Sequence, residues 1–438
     1  MENNLIESND YLMRARALFK AEKYVEAEKN FNKSIEKNKM NIDAYIGLAC
    51  MYIDQKEYAK AKDNLKKVLV IDNKNGEAYF HIANIAFMNK DNISARENYS
   101  KAISFGYDSP VALYYMAMSN YATKDIVNAK FYLNQILEKN PENVKARLKL
   151  IEMSMSESKY EESLVQADQL ILYRPDAFEG YHYKFLSLIN MNKDEAALSV
   201  LTHAQKLYPG DKGFAYDRVL LLIKLEKYEE ALEYIDAIFI KEDNAKMAIM
   251  PLKAKILFKL QRFSESRDVF EKVNSKLMNE ESKWLLTMTY IINQSFEKAL
   301  NVVDNIINSK RDESNIYYIS AIFYKGICLK QMGQEESAKK AFFDGNQKIK
   351  MQSIKEPGNL SLFMYRILCE TFLGNYELAL ELADYALEIS EENSEIYLAR
   401  SVVYKMMNKK EESIADYEKA KKKNAQLADM FKEVLFNE

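Results

Sequence analysis

The hydrophobic pattern of this chain repeats at a long and regular interval. A small side chain recurs at constant spacing from residue 27 to residue 231, and at less even steps after that. The interval is about 34 residues, a length typical of stacked helical units. A large apolar residue stands four positions later in most copies, and another small or apolar residue follows three positions after it, which places them on one helix face. The small residues are Ala27, Ala61, Ala95, Ala129, Ser163, Ala197, Ala231, Ser266, Ala299, Ala338, Ala379 and Ser413.

A second apolar face precedes the first by twelve positions in each repeat. Tyrosines or other apolar residues often stand four positions before its small residue, which predicts a second amphipathic helix. Pro141, Pro175 and Pro209 close three consecutive repeats and have the same spacing as the small residues. Because proline cannot continue a helix, each repeat is predicted to be a closed pair of helices. The small residues of the second face include Ala15, Ala49, Ala83, Ala117, Ala254 and Gly326.

These columns resemble the tetratricopeptide repeat (TPR), a helix–turn–helix unit of about 34 residues that stacks on copies of itself. About twelve such units are recognisable, from about Asn9 to Lys423. The resemblance implies an all-α fold, a right-handed superhelical solenoid of antiparallel helix pairs. It also implies that the first helix of each pair lines a concave groove.

The regularity of the repeat divides the chain into five predicted segments. Residues 1–8 form a short polar lead, predicted to be loose, and residues 9–243 contain seven regular units. Residues 244–359 contain irregular units with insertions, and residues 360–424 contain two further regular units. Residues 425–438 place apolar side chains at helical spacing, which predicts a capping helix over the last apolar face of the stack.

Two insertions and one proline disturb the irregular segment. The insertions fall at about 309–316 and 346–359, and the second contains the turn signal Pro357-Gly358. They are interpreted either as longer helices or loops that form a hinge or partner site, or as surface turns in which extra residues are tolerated. Pro251 lies where the first helix of the eighth unit is expected to begin, so it marks either a first-turn proline or a late helix start.

The composition and net charge of the chain exclude some classes of binding partner. Apolar residues make up 48% of the chain and charged residues 29%, which is typical of a folded soluble protein. Because 62 basic residues face 65 acidic ones, charge does not steer the chain toward a nucleic acid. No signal peptide and no apolar run of membrane-spanning length is recognisable, so a cytoplasmic protein without membrane insertion is predicted.

The residue types that form catalytic and metal sites are scattered along the sequence. The three histidines are isolated from one another, no cysteine pair has metal-ligand spacing, and the glycines do not form a phosphate-binding loop. The three cysteines are predicted to be free thiols. The sequence therefore predicts no catalytic residues, no metal site and no cofactor, and the chain is interpreted as a non-enzymatic protein.

The candidate binding residues come from the resemblance, which assigns groove positions to the first helix of each unit. In this chain those positions are rich in aromatic side chains and methionine, which are enriched at binding hot spots. The alternative is that the helices bury part of this face as packing. The candidates are Phe80, His81, Asn84, Tyr114, Tyr115, Met118, Tyr121, Lys149, Glu152, His182, Tyr183, Tyr216, Trp284, Met288, Phe323, Tyr324 and Tyr365.

The predicted function is a protein–protein interaction scaffold that binds a polypeptide of unknown identity in its groove. One subclass of TPR domains grips a terminal carboxylate with lysine and asparagine. The first two units instead offer Leu12, Met13 and Arg16, then Ile46, Gly47 and Cys50. A chaperone-tail binder is therefore not expected. The alternative function is a peptide-sensing regulator that controls a partner enzyme or transcription factor. RNA binding by related helical repeats is not expected, because the groove is not basic.

Overall fold

A computed structural model describes residues 2–239, 243–274, 278–309 and 315–436, and the regular structure in those ranges is entirely helical. The chain divides into two compact units, Met1–Pro209 (unit 1) and Gly210–Glu438 (unit 2). In both units, successive helices pack as neighbours along the stack. The predicted all-α fold of stacked helix pairs is confirmed.

Unit 1 contains six helix pairs of nearly constant length. Most of its helices have 13 or 14 residues, as a strict repeat period requires. The helices are α1 Glu2–Lys20, α2 Tyr24–Lys37, α3 Ile42–Asp54, α4 Tyr58–Ile71, α5 Gly76–Met88, α6 Asn92–Ser104, α7 Pro110–Ala122, α8 Ile126–Lys139, α9 Val144–Ser156, α10 Tyr160–Tyr173, α11 Phe178–Asn190 and α12 Asp194–Leu207.

Unit 2 contains six further pairs in the described residues, and their lengths vary from 8 to 21 residues. The helices are α13 Lys212–Lys224, α14 Tyr228–Ile238, α15 Asp243–Lys259, α16 Phe263–Phe270, α17 Glu280–Ile292, α18 Phe296–Ile307, α19 Ile316–Gln331, α20 Glu335–Lys355, α21 Leu360–Phe372, α22 Tyr376–Ile389, α23 Ser394–Met406 and α24 Lys410–Lys423. A last helix, α25 Ala425–Phe431, continues into a π-helical turn, Lys432–Phe436.

The turn inside each helix pair is made by one residue with a left-handed backbone. In unit 1 these residues recur once per repeat, and their φ angles lie between 56° and 62°. The following amide closes the turn, as where the N–H of Glu57 donates to the Tyr52 carbonyl at 2.8 Å. This is the Schellman arrangement, which ends the first helix and reverses the chain. The residues in unit 1 are Glu22, Lys56, Lys90, Lys124, Ser158 and Asn192.

The turn between pairs is set by a second column, the N-cap of the first helix. Asn41, Asn75, Ser109 and Asn143 recur once per repeat, and each side chain accepts a hydrogen bond from the backbone N–H three positions later. Such a cap satisfies one of the free N–H groups at a helix start. Pro141 lies two positions before its cap, outside the helix that it precedes.

The small-residue column marks where helices approach most closely. Its members in unit 1 are fully buried, including Ala129 and Ser163. A small residue also marks the contact between successive pairs, at Gly47 of α3. A Cβ added there would lie 2.5 Å from Cε1 of Phe31 on α2. A larger side chain at these positions would push the two helices apart. The small residues therefore recur once per repeat because the same helix contact recurs once per repeat.

Two local predictions are wrong. Helix α1 begins at Glu2, so residues 2–8 belong to the first helix and are not a loose lead, because Ser8 hydrogen-bonds the Ser34 carbonyl at 2.8 Å inside the first pair. Pro251 lies inside α15, so it is neither in the first turn nor at a late start; the helix continues with one backbone N–H missing.

The second insertion is largely helix. Helix α20 extends to Lys355, so most of residues 346–359 lengthen this helix, and only the turn before Asn359 is a loop. In the first insertion, residues 310–314 lie outside the described residues, and Ile316 begins α19.

The C-terminal segment, residues 425–436, covers more than the last pair. Helix α25 packs against α23 and α24, while the π-helical turn packs against α17, which belongs to an earlier pair of unit 2. The segment therefore crosses the stack of unit 2.

Candidate binding surface

The first helices of unit 1 bring three aromatic rings together on α7. Tyr114 and Tyr115 are half-buried, and their ring centroids lie 5.8 Å apart in an edge-to-face arrangement. Tyr121 lies two turns further along the same helix, with Met118 between. Burial raises the pKa of the Tyr114 hydroxyl above its ordinary value. This part of the predicted surface is contiguous.

Lysines of α9 cover these rings from the next repeat. The Lys145 ammonium lies 4.2 Å from the Tyr114 ring centroid, and Lys149 lies 5.2 Å from the Tyr121 centroid. A cation above an aromatic face is held by the ring quadrupole. Lys149 also donates to Glu152 at 3.0 Å. Lys145 is exposed and has no carboxylate partner among the residues that the structure describes.

Helix α11 extends the surface by one more repeat. The His182 ring stacks on Phe178 at 6.1 Å and meets Tyr183 edge-on at 5.5 Å. Burial raises the pKa of Tyr183, and the negative charge of Glu152 on α9 adds to this effect. We call this surface of α7, α9 and α11 the aromatic face; its members are Tyr114, Tyr115, Met118, Tyr121, Lys145, Lys149, Glu152, His182 and Tyr183.

The candidate binding residues on α5 have different roles: Phe80 and Asn84 support the core, and His81 belongs to a polar cluster. Phe80 is buried, with its ring 4.9 Å from Tyr107. Asn84 accepts a hydrogen bond from the buried Tyr99 hydroxyl at 2.6 Å, so its amide supports the core. Phe80 is therefore part of the core, whereas Asn84 is half-buried and its side-chain oxygen already accepts from Tyr99.

His81 forms a polar cluster with α3. Its Nε2 lies 3.4 Å from Cys50 Sγ and 3.8 Å from Glu77 Oε1, and its side chain is only 14% exposed. Burial opposes the charged imidazolium, but the hydrogen bonds with Cys50 and Glu77 outweigh it and raise the pKa of His81 to about 9. The hydrogen bond with His81 in turn lowers the pKa of Glu77. In the part of the chain that the structure covers, no group of three such side chains has metal-binding geometry.

The candidates in unit 2 are mostly core, so the expectation that they line an open groove is wrong for four of them. Met288 and Phe323 are completely buried, and Tyr324 and Tyr365 are almost so. The physical reason is that the Phe323 ring packs between its own repeat and the next, 5.8 Å from both Phe342 and Tyr365. Trp284 is half-buried and Tyr216 is 38% exposed.

Sequence reasoning missed Lys145 and Glu77, and it assigned Cys50 to a groove position of the second unit without linking it to His81. Lys145 precedes Lys149 by four positions, the spacing that puts two side chains on one helix face, so a wider reading of the α9 face would have found it. Cys50 and Glu77 belong to different repeats from one another, and only the stacking of α3 on α5 brings them to His81.

Sequence models of the tetratricopeptide repeat match three stretches, residues 42–75, 111–143 and 394–425. The matched stretches contain α3–α4, α7–α8 and α23–α24, each a helix pair of the observed fold. The chain is a tetratricopeptide-repeat protein. TPR folds serve as protein–protein interaction scaffolds, which is the function class that this architecture fits. None of the described helices combines the length and apolar character needed to cross a membrane.

Several solved TPR structures are similar to this TPR protein. One is a tetratricopeptide repeat protein from Parabacteroides merdae, with 16% identity over 57% of this chain and 99% of the other, at a TM-score of 0.38. Another is the TPR domain of P58(IPK), with 14% identity over 92% of this chain and 98% of the other, at a TM-score of 0.32. A third is YrrB, described as a TPR protein with an unusual peptide-binding site, with 21% identity over 45% and 97% and a TM-score of 0.36. Among curated proteins, none matches this sequence.

Proposed function

We propose that this TPR protein is a non-enzymatic scaffold that binds a segment of a partner polypeptide on the aromatic face of unit 1. The observation that carries the proposal is the Lys145 ammonium on the Tyr114 ring, at the junction of two repeats. Tyrosine side chains offer large contact area with few rotatable bonds, a property of binding hot spots.

The charges of the aromatic face indicate the chemistry of the ligand. Lys149 is neutralised by Glu152, while the exposed Lys145 has no carboxylate partner among the described residues. A ligand carboxylate next to an apolar side chain would pair with Lys145 while the apolar group contacts Tyr114 and Tyr121. We therefore expect a partner segment with an aspartate or glutamate beside an aromatic or aliphatic residue, and neither a nucleic acid nor a terminal-carboxylate clamp ligand.

A displayed library of random peptides, selected on the full-length protein, tests this proposal. Enriched peptides should contain an acidic residue beside an apolar one, and Lys145→Gln should weaken them at least tenfold, which corresponds to about 1.4 kcal/mol. Tyr121→Ala should weaken them similarly. Lys101→Gln is the matched control, because Lys101 also covers a tyrosine ring, Tyr79 at 5.5 Å, outside the aromatic face.

Thermal melting of the same variants separates recognition from packing. Weaker peptide binding with an unchanged melting temperature supports the proposal. A library without enriched peptides, equal affinity in all three variants, or weaker binding only where the melt is lowered would each overturn it.

A further inference from the structure

The C-terminal segment of unit 2 makes a two-point contact with a helix far away in sequence. The Lys259 ammonium donates to the side-chain oxygen of Gln426 at 3.0 Å. The Gln426 amide nitrogen donates to the Lys259 carbonyl, also at 3.0 Å. Because α15 ends at Lys259, that carbonyl has no acceptor role inside its own helix. The segment is therefore anchored to the first helix of the second repeat of unit 2.

The apolar face of the segment points into the same unit. Met430, Phe431 and Val434 are buried, and Phe431 is only 2% exposed. Their spacing, with Leu427 before and Leu435 after, is that of one helical face. All three buried residues belong to one hydrophobic core cluster with residues of both the first and the second helices of unit 2.

The segment runs across successive first helices. At its start, Leu427 and Met430 line a cavity with Phe258 of α15 and Trp284 of α17. At its end, Val434 and Leu435 line another cavity with residues of three later first helices, namely Ile327 of α19, Phe372 of α21 and Val402 of α23. Trp284 is one of the groove positions predicted from the sequence.

The attachment of the segment is short and locally ordered. Asn424 alone connects α24 to α25, and its side chain caps Leu427 at 3.0 Å. Lys421 and the Tyr417 hydroxyl both contact Asp429, at 3.5 and 3.3 Å. A ligand tethered this closely has a high effective concentration, so even moderate contacts keep it bound.

We propose that the first-helix face of unit 2 is a binding site for an amphipathic helix, and that the chain's own C-terminal segment occupies it as a competing internal ligand. The partner is a helix with apolar residues spaced as Leu427, Met430, Phe431, Val434 and Leu435, and an amide side chain one position before the first of them. The partner binds by displacing the segment. This site is separate from the aromatic face of unit 1 and does not depend on the function proposed there.

The test uses the full chain and a fluorescent peptide of residues 424–438. In a full-length variant with Phe431→Asp and Val434→Asp, the internal ligand loses its buried side chains, and the site is vacated. Measured by fluorescence anisotropy, this variant should bind the peptide at one site, at least tenfold more tightly than the unaltered chain does. A peptide with the same two aspartates should not bind, and a peptide with Lys432→Ala, a change at an exposed residue, should bind normally.

Folding of the variant is checked by its thermal melt. A folded variant that binds neither the native nor the Lys432→Ala peptide overturns the proposal, and so does equal binding of the aspartate peptide. If the variant does not fold, the unaltered chain decides. A large excess of native peptide should speed amide hydrogen exchange in residues 425–436, and unchanged exchange overturns the proposal. Peptide binding that leaves the segment protected, or a variant that dimerises instead of binding peptide, also contradicts displacement.

Discussion

Gln426 and Lys259 are joined by two hydrogen bonds, although 167 residues of chain separate them. One bond uses the lysine side chain and the other uses the backbone carbonyl at the end of α15. The pair therefore ties α25 to α15, an early helix of unit 2. Removing this pair of hydrogen bonds should destabilise the C-terminal segment more than any other part of the chain.

Gln426→Ala should release the C-terminal segment in part. Losing the two bonds is expected to cost about 1–3 kcal/mol, since one of them involves a charged donor. Amide hydrogen exchange in residues 425–436 should become faster, while exchange in α3 to α10 stays unchanged. Lys432→Ala, an exposed change in the same segment, is the control. Unchanged protection of the segment in Gln426→Ala would show that the bonds do not hold it.

Gly47→Ala should destabilise unit 1 by overpacking. The new methyl group would lie 2.5 Å from Cε1 of Phe31, and the backbone of α3 cannot retreat without disturbing the next repeat. The expected cost is about 1–3 kcal/mol in urea unfolding. Gly210→Ala is the matched control, since nothing lies within 4 Å of a Cβ at Gly210.

A second substitution shows whether the contact itself is responsible for the loss. Phe31→Leu removes the ring that the methyl group meets, so it should recover part of the stability that Gly47→Ala loses. Additive losses in the double variant would mean that the damage comes from a source other than this contact.

The left-handed turn residues predict a matched pair of opposite effects. Lys124 has φ 62°, so Lys124→Gly removes backbone strain and should stabilise the protein slightly, by up to about 1 kcal/mol. Gly374 has φ 86°, and Gly374→Ala should destabilise by about 1–2 kcal/mol. Urea unfolding followed by circular dichroism measures both. Equal signs for the two substitutions would contradict the turn geometry.

The His81 cluster should make stability depend on pH. The pKa of His81 is raised in the folded chain to about 9, above the value of 6.5 for an unperturbed histidine. Because the folded state holds the proton more tightly, this stabilisation is fully present below about pH 6.5 and is lost as the pH rises through 9. The expected size is about 1–3 kcal/mol.

Urea unfolding of the protein and of His81→Gln at pH 6 and pH 9.5 measures this contribution. The stability difference between the two proteins should shrink at the higher pH. A difference between His81→Gln and the parent that is the same at both pH values would rule out the His81 cluster as its source.

Local features of the fold could be read from sequence because they depend on nearby residues. Ala129 and its counterparts are recognisable since the helix period and a constant repeat length put them at the same contact in every pair. The Pro141 stop likewise acts within a few positions of itself. Tyr114, Tyr121 and Lys149 lie on different repeats or turns, and their assignment to one surface came from the resemblance to the repeat family.

Other features could be seen only in the tertiary structure, because they depend on contacts between residues that are distant in sequence. Phe323 and Trp284 hold equivalent places in the repeat pattern, yet Phe323 is enclosed by rings of its own and the next repeat, whereas Trp284 is half-buried and borders a cavity. The sequence determined that residues 425–436 form an amphipathic helix, since that depends on local spacing. Where this helix packs depends on Lys259, 167 residues earlier, and no local pattern records that distance. The burial of a side chain depends on contacts with several repeats, whereas the hydrophobic period of a helix depends only on the residues within that helix.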